Sequence, residues 1–507
     1  MPTSFYDVVV LGTRLEPLLC AALLAREGLR VLVLGQGVPD PFYRLAGVEI
    51  EPYGLTMAGA QSPIVQSTLE DLALRQDLRQ RMADRGSVFQ LLLPEHRLDV
   101  HPEADRWLAE LGREFPGVRR QGTDITRTLA EVRSELDAVV APGFVWPPET
   151  FLERQRFSLT ATVRRFDRQG QGWTSWNQLA VRHPLRTAFE AILPHLSGLV
   201  PSQHADSTRA RLHGHVLSGL GELNGGWSWF QEALVARIRS WGGDVRPRDR
   251  ADSIRHEGRR GHSIHVVRTD EEIGCSQIAH GTPIGELSQL LPERGSMAAM
   301  FERVGEPRAR AYRCSVHFLA EKRGIPDALG PLALRCTSAT NPGQAFMLRC
   351  RDVEPKRTLL SVTRLVEEHL VDTGSSPIHF VREDALDAVR GVVPFFDEHA
   401  IWVDSPHDGL PPRAFRADTE LPCSEPWARG PSTMRAVYDY PTRRALGVCA
   451  LTTRTPVRGV FLCNEQVAPG LGLEGSFLTA TSVAKLIGSQ YRRRDWLRRG
   501  PWAHRSV

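Results

Sequence analysis

The chain has 507 residues and a formal net charge of +4, with 63 Lys and Arg against 59 Asp and Glu. Hydrophobic residues make up 41% of it and charged residues 24%, which is typical of a globular protein with two or three structural domains. These values exclude a fibrous protein, a chain disordered over its length, and a nucleic-acid partner bound through overall charge.

Two further absences in the sequence bear on where the protein works. The eight cysteines show no C-x-x-C pair and no metal-like spacing, which favours reduced thiols and predicts no metal site. No apolar run reaches the roughly 18 residues of a membrane-spanning helix, and the opening MPTSFYDVVVLG does not resemble a signal peptide. We therefore expect a cytoplasmic protein.

The first predicted unit is a strand, a tight turn, a helix and a second strand. Residues 7–11 (DVVVL) form a short apolar run of the kind that a parallel sheet buries on both faces. Residues 17–26 (PLLCAALLAR) are apolar on nearly every side, as expected for a helix packed on a sheet, and Gly28 ends this helix. Residues 30–34 (RVLVL) supply the second strand. The pattern predicts a βαβ unit.

Two later segments carry the signals of a return to the same sheet. Residues 225–254 contain a turn, an amphipathic helix at 229–241 and a short strand at 244–246. Residues 455–488 contain a strand at 459–463, a glycine-rich turn and a closing helix. The sequence therefore predicts one discontinuous domain built from three segments, namely residues 1–59, 221–284 and 445–490.

Two insertions separate these segments. The first, residues 60–220, is rich in Leu, Arg and Glu at helical spacing and predicts a helical cap, with a surface loop at 164–173. The second, residues 285–444, contains strand-like runs at 344–350 and 358–366 and predicts an α+β substrate or partner domain.

The turn after the first strand carries a modified dinucleotide fingerprint. In the pattern G-x-G-x-x-G, the first glycine makes the turn, the second lets the pyrophosphate approach the backbone, and the third allows close helix packing. The aligned residues are Gly12, Arg14 and Pro17. Arg14 places a long cation where phosphates need bare N–H groups, although arginine can itself bind phosphate. Pro17 suits the first helical turn, but we expect the close packing to be lost.

The acidic residue that normally follows the second strand and binds the adenosine ribose is also missing. Gly35 stands at that position and has no side chain. Gln36 follows it, but strand alternation should direct its side chain elsewhere. The fold class that these patterns predict is α/β: a discontinuous, Rossmann-like FAD/NAD(P)-binding domain with an inserted helical cap and an α+β domain.

Three segments together resemble the phytoene desaturase-like and flavin amine oxidase-like FAD-dependent oxidoreductases: residues 6–35, 225–254 and 455–488. The last segment resembles the closing motif T-P-x-x-G-L-[YF]-L-x-G-[DE]…P-G…E-G…S-G…A of that superfamily. The matching residues are Glu465, Pro469, Gly470, Glu474, Gly475 and Ala484. The usual Gly, Ser and Gly are replaced by Asn464, Thr479 and Ala480.

This resemblance implies FAD as the cofactor, with the acidic residue of the closing motif on the ribityl chain and the glycine turn against the flavin. The residues implied around the cofactor are Gly12, Arg14, Arg44, Glu465, Pro469, Gly470 and Gly475. Arg44 is the one match in PFYRLA (41–46), where such proteins have G-G-R and where Phe42 and Tyr43 are expected to fill space that the cofactor needs.

A second resemblance is confined to residues 10–19 (VLGTRLEPLL), including Glu16. This segment is similar to the opening of the Rab GDP-dissociation inhibitors, which share the fold, bind prenylated GTPases and do not work as flavoenzymes. The fold can therefore exist without flavin chemistry.

Two functions follow from these patterns. The first is a pseudoenzyme that is non-catalytic, or binds its dinucleotide non-canonically, and whose chamber holds a lipophilic small molecule or a protein partner. The alternative is an active FAD-dependent oxidoreductase or desaturase that transfers hydride from an isoprenoid or lipid substrate to the flavin. No catalytic residue is predicted, because the flavin performs most of that chemistry.

Three weaker features have a functional and a structural interpretation. His213 and His215 could share a strand face and bind a metal, but no third ligand is near, so structural histidines are favoured. Four aromatic residues could line a lipophilic channel but are more often core: Trp227, Trp229, Phe230 and Trp241. The basic tail, residues 491–507, could contact an anionic membrane, although a frayed, solvated tail is favoured.

Overall fold

The computed structural model describes most of the chain. The described residues are 4–83, 89–140, 143–159, 176–223, 225–256, 258, 261–291, 295–371, 378, 380–417, 419–422, 427–440 and 445–499. The surface loop predicted at 164–173 and residues 500–507 of the basic tail lie outside them.

The strands are, in chain order, β1 (Ser4–Leu11), β2 (Val31–Leu34), β3 (Tyr43–Leu45), β4 (Val48–Ile50), β5 (Thr56–Met57), β6 (Phe89–Leu92), β7 (Arg97–Val100), β8 (Gly221–Glu222), β9 (Asp244–Arg246), β10 (Ala251–His256), β11 (His262–Val266), β12 (Glu271–His280), β13 (Arg308–Glu321), β14 (Leu332–Cys336), β15 (Ala345–Glu354), β16 (Arg357–Glu367), β17 (Ala400–Asp404), β18 (Arg413–Ala414), β19 (Arg435–Asp439) and β20 (Val460–Leu462).

The α-helices are, in chain order, α1 (Leu15–Arg26), α2 (Pro63–Asp71), α3 (Arg75–Ala83), α4 (Ala104–Glu114), α5 (Arg119–Val140), α6 (Phe151–Leu159), α7 (Pro184–Leu196), α8 (Asp206–Leu217), α9 (Gly226–Ser240), α10 (Ile284–Leu290), α11 (Gly295–Val304), α12 (Glu368–Val371), α13 (Phe380–Arg390), α14 (Phe396–His399) and α15 (Leu473–Arg499).

The first sheet joins the three segments that the sequence assigned to one discontinuous domain. Its strand order is β10-β11-β12-β1-β2-β9, and β20 pairs with β12. β1 is parallel to β2 on one side and to β12 on the other. Val8 and Val10 face the core that contains α1 and α15, whereas Val9 and Leu11 face a second core. The prediction that β1 is buried on both faces is confirmed.

Several predicted boundaries shift in the structure. α9 begins at Gly226, before the predicted start at Trp229, because Gly225 with a φ of 85° makes the turn directly ahead of it. The strand at 244–246 lies as predicted. α15 continues to Arg499, so the prediction of a frayed tail is wrong for the backbone of 491–499. Within the described part of the chain, no helix is long and apolar enough to cross a membrane.

The second sheet contains a hairpin that the sequence did not predict. Its strand order is β18-β17-β13-β16-β15-β14-β6-β7, with β19 on β13. β6 and β7 come from residues 60–220, which were predicted as a helical cap, and β6 pairs in parallel with β14. All four residues of β6 are buried, so this run needs cover on both faces, which an isolated helical cap does not give. The insertion is therefore helical only in part.

A buried ion pair connects the helical part of this insertion to the first domain. Arg211 of α8 donates from Nε and Nη2 to the two carboxylate oxygens of Glu474 in α15, at 2.7 and 2.6 Å. The side chains are 1% and 0% exposed. Burial alone would raise the pKa of Glu474, but the adjacent Arg211 guanidinium holds that pKa below its usual range. Asp137 of α5 accepts a further hydrogen bond from Arg211 at 2.7 Å.

We expect Glu474→Gln to lower the free energy of unfolding by about 3–5 kcal/mol, because it leaves the Arg211 charge buried without its main partner. The control is Asp137→Asn, whose side chain is 33% exposed and should change stability by only about 0–1 kcal/mol. Urea unfolding measures both. Equal effects would contradict the assignment of Glu474 as the main partner.

Candidate functional site

A cavity of about 160 Å³ lies where the turn after β1 meets the second sheet. We call it the central cavity. Three parts of the chain contribute to its lining: Arg14, Leu15 and Glu16 at the start of α1; Arg313, Arg349 and Arg435 from the second sheet; and Glu465, Pro469 and Ser476 from the closing segment.

An ion pair spans the central cavity. Nη1 of Arg14 donates to Oε1 of Glu465 at 2.9 Å. Burial would raise the pKa of Glu465, but Arg14, with Arg435 and Arg313 behind it, holds that pKa below its usual range. The sequence predicted both residues of the pair at the cofactor, and the structure brings them into contact with each other. Each therefore satisfies the charge of the other.

The second sheet adds positive charge to the same cavity. Arg313 on β13 and Arg435 on β19 are directly opposite each other across the two strands. Arg313 donates to the backbone oxygens of Pro194, at 2.8 Å from Nη2, and of Ser197. Arg349 on β15 pairs with Glu222 at 2.8 Å. The sheet that was predicted to form a substrate chamber thus presents a cationic face.

Sequence analysis missed Arg313 and Arg435. Both lie in strands whose pairing partners are far away in the chain, so no local motif indicated that they share a face with Arg14. The only local signal is an arginine at the start of an otherwise buried apolar run, RCSVHFLA, from Arg313 onward.

The ribose position at the end of β2 is closed. A Cβ atom added to Gly35 would lie 1.7 Å from the backbone oxygen of Pro247. Gln36 directs its side chain away, as predicted, with Nε2 donating to the oxygen of Ala251 at 2.8 Å and Oε1 accepting from its N–H at 3.0 Å. The segment after β9 lies directly against Gly35, so no acidic side chain fits at this position, and the loss of the ribose contact stays a prediction.

The close packing that the third fingerprint glycine normally provides is present after all. Pro17 packs against Gly281, where an added Cβ would lie 2.5 Å from Cγ of Pro17. Gly12 keeps the turn with a φ of 107°. The expectation that close packing would be lost is therefore wrong, because the glycine that allows it is Gly281, directly after β12, instead of a residue in α1.

The residues of the closing motif make close backbone contacts. An added Cβ would lie 2.0 Å from the oxygen of Ala468 at Gly475, and 2.8 Å from the oxygen of Gly447 at Gly470. Pro469 lines the central cavity and accepts a hydrogen bond from the N–H of Gly198 at 3.0 Å. Glycine is thus required at 470 and 475 by packing alone.

Arg44 does not reach the central cavity. It lies in the β3–β4 hairpin, 52% exposed and 3.6 Å from Glu49. The neighbouring Tyr43 is buried against the second sheet and donates to Asp404 at 2.6 Å. The structure therefore places neither Arg44 nor Tyr43 at the central cavity, because the hairpin packs further along the second sheet, against Leu319, Leu359 and Trp402.

The remaining candidates have structural roles. His213 and His215 lie in α8, not in a strand, with Nε2 atoms 2.8 Å from the oxygen of Phe189 and 3.2 Å from Glu474. No group of three or more potential metal ligands occurs among the described residues. Of the four aromatic residues, Phe230 is fully buried in the core and Trp227 lines the central cavity.

These residues do not fit FAD. Drug-sized ligands, which are smaller than a dinucleotide, occupy pockets of about 300–1,000 Å³, whereas the central cavity measures about 160 Å³. Arg14 stands at the start of α1, where the pyrophosphate would need the helix N–H groups. Gly12 and Gly35 lie outside the cavity lining, so this cavity does not extend to the turn after β1 or to the end of β2.

No protein-family model and no curated sequence matches the chain. Among solved structures, it is similar to an oxidoreductase from Methanosarcina mazei, with 14% identity, a TM-score of 0.60, and 94% of this chain and 100% of that chain covered. It is also similar to a putrescine oxidase variant from a redesign of cofactor binding, with 14% identity, a TM-score of 0.59, and 96% of this chain and 100% of that chain covered. For cyclohexylamine oxidase from Brevibacterium oxydans the identity is 14% and the TM-score 0.53, with 96% of this chain and 100% of that chain covered. The chain has the fold of the FAD-dependent oxidoreductases, as the resemblance predicted.

We expect Gly35→Ala to destabilise the protein by about 1–3 kcal/mol or more, because its Cβ would overlap the Pro247 backbone. The matched control is Gly285→Ala in α10, where an added Cβ meets nothing within 4 Å and should stabilise the helix by up to about 1 kcal/mol. Thermal or urea unfolding compares the two. A Gly35→Ala variant as stable as the control would show that the ribose position is open.

The two partners of the cavity ion pair should respond unequally to removal. Glu465→Gln removes the partner of Arg14 and the carboxylate near Arg313 and Arg435, and it should lower the free energy of unfolding by about 1–3 kcal/mol because the pair is partly buried. Arg14→Gln should cost less, because Arg313 and Arg435 still compensate Glu465. Urea unfolding in a chloride buffer tests this order, and the reverse order would contradict the convergence of the three arginines.

Proposed function

We propose that this protein is a ligand-binding pseudoenzyme on the flavoenzyme fold, which does not use FAD. The Arg14–Glu465 ion pair carries the proposal. It puts a guanidinium where a pyrophosphate would need free N–H groups, and it engages the carboxylate that the resemblance assigns to the ribityl chain. A flavin dinucleotide would have to break this pair before it could enter.

The steric contacts support the same conclusion. Opening the ribose position requires movement of the backbone at Pro247, which lies against Gly35. The Arg14–Glu465 pair is partly buried, so separating its partners costs about 1–3 kcal/mol, less than for a fully buried pair. Both changes would be needed together, so binding energy from the cofactor would first be spent on rearranging the protein.

The alternative function is FAD-dependent oxidation of an isoprenoid or lipid substrate. Its support is the closing motif, in which Pro469, Gly470 and Gly475 match. Close approach to Ala468 and Gly447 accounts for both glycines without a flavin. The motif therefore favours the fold more than it favours redox chemistry.

The ligand of the proposed binding protein is charged, not lipophilic as the sequence suggested. Arg313, Arg349 and Arg435 project from the sheet into the cavity. Transfer of an apolar molecule into a space lined by guanidiniums would desolvate those charges without compensation. We therefore propose a charged ligand, whereas the lipophilic ligand expected from the sequence stays an untested prediction.

We expect the purified protein to be colourless in the visible range of oxidised flavin and to retain no FAD after incubation with the cofactor and gel filtration. Denaturation and chromatography of any released flavin complete the measurement. A flavoenzyme of the same fold, such as putrescine oxidase, serves as the positive control for reconstitution. Stoichiometric FAD in this protein, either as purified or after incubation with the cofactor, would overturn the proposed function.

A further inference from the structure

The strands β13 and β19 hold two like charges in direct opposition. Arg313 and Arg435 are register partners on neighbouring antiparallel strands and both line the central cavity. Like charges directly opposite each other on one face of a sheet are destabilising. A pair of this kind becomes favourable when an anion lies between the two guanidiniums.

Neither guanidinium forms an ion pair with a described residue, although the Glu465 carboxylate lies near both. Arg435 packs over the ring of Tyr53 at 4.7 Å, and its side chain makes no ion pair or hydrogen bond with any described residue. Arg313 uses Nε and Nη2 on backbone oxygens, which leaves Nη1 without a partner among the described residues. Burial lowers the pKa of Arg313 to about 10 and also lowers the pKa of Arg435, as expected for charges with too little compensation.

The carboxylates of the cavity do not balance the arginines. Glu465 already pairs with Arg14 at 2.9 Å. Glu16 accepts a hydrogen bond from Ser476 at 2.5 Å, and burial and the nearby Glu465 raise its pKa. The guanidiniums of Arg14, Arg313 and Arg435 therefore outnumber the two carboxyl groups that line the cavity.

Other groups in the lining suit a small organic anion. His195 lines the cavity, and burial together with Arg313 lowers its pKa to about 3, so the imidazole is neutral and has an N–H to donate. Tyr53 and Trp227 supply aromatic surface. A cavity of about 150 Å³ is large enough for benzene, and the central cavity measures about 160 Å³.

We infer that the central cavity is a binding site for a small organic anion, no larger than about a benzene-sized body, whose carboxylate or phosphate group is held by Arg313 and Arg435. This inference rests on the proposed function, since FAD and the anion would compete for the same space. The planar guanidinium of Arg435, with its N–H groups uncommitted, is the main contact.

The test is isothermal titration of the full-length protein with benzoate, acetate and inorganic phosphate, in chloride buffer at constant ionic strength. We expect saturable one-site binding of at least one probe. Arg435→Met and Arg313→Met should each weaken it about tenfold to hundredfold, because a charge-assisted hydrogen bond is lost. Arg308→Met removes an exposed arginine at the start of the same strand β13 and should leave the affinity unchanged.

The probes and variants separate the possible outcomes. Binding of benzoate or acetate alone identifies a carboxylate ligand, and binding of phosphate alone identifies a phosphate ligand. No saturable binding of any probe, or equal affinity in Arg435→Met and the wild type, would overturn the inference. The ligand-free Arg435→Met protein should be at least as stable as the wild type, because the opposed charges are gone.

A second measurement does not depend on the variants. Crystals soaked in para-bromobenzoate should give an anomalous bromine peak inside the central cavity, with the carboxylate against Arg435. A peak only at other sites would overturn the inference. Bound FAD would overturn both proposals, whereas a flavin-free protein that binds none of the probes would overturn only this one.

Discussion

The ion pair between Arg14 and Glu465 determines what the cleft of this fold can hold. Its partners are 451 residues apart in the chain. They meet because β1 and β20 flank β12 in one parallel arrangement, so the loops at the carboxyl ends of both strands open into the same crevice. In open α/β sheets that crevice is where ligands bind. Here the two loops contact each other across it, and the space that remains is small.

The steric requirements of the fold are met by residues other than those that bind dinucleotides. Close packing of α1 on the sheet needs a position without a side chain, and Gly281 supplies it opposite Pro17. At the end of β2, the residue must be glycine because the Pro247 backbone lies against Gly35 and leaves no room for a side chain. Replacement of the second and third fingerprint glycines thus leaves the packing of α1 on the sheet intact.

The arginines around Arg211 and those of the central cavity differ in how well their charge is compensated. Arg211 has Glu474 and Asp137 as partners, and its fully buried pair with Glu474 joins α8 to α15. In the central cavity, the charge of Arg435 has no such partner. A buried ion pair whose charges cancel holds two elements in a fixed arrangement, whereas a buried cation without a carboxylate partner is stabilised when a counterion binds. We therefore assign a structural role to the Arg211 cluster and propose a ligand-binding role for the arginines of the central cavity.

The sequence by itself predicted β1, β2, β9 and β20, the helices α1, α9 and α15, and the presence of Arg14 and Glu465 in one cleft, but it did not predict β10, β11 or β12. Hydrophobic periodicity and turn residues are local properties, so they can be read along the chain. Only the tertiary structure decided that Arg14 pairs with Glu465, that Arg313 and Arg435 oppose each other, and that the β6–β7 hairpin joins the second sheet. Those contacts depend on strand register and on packing between distant segments, which no local pattern encodes.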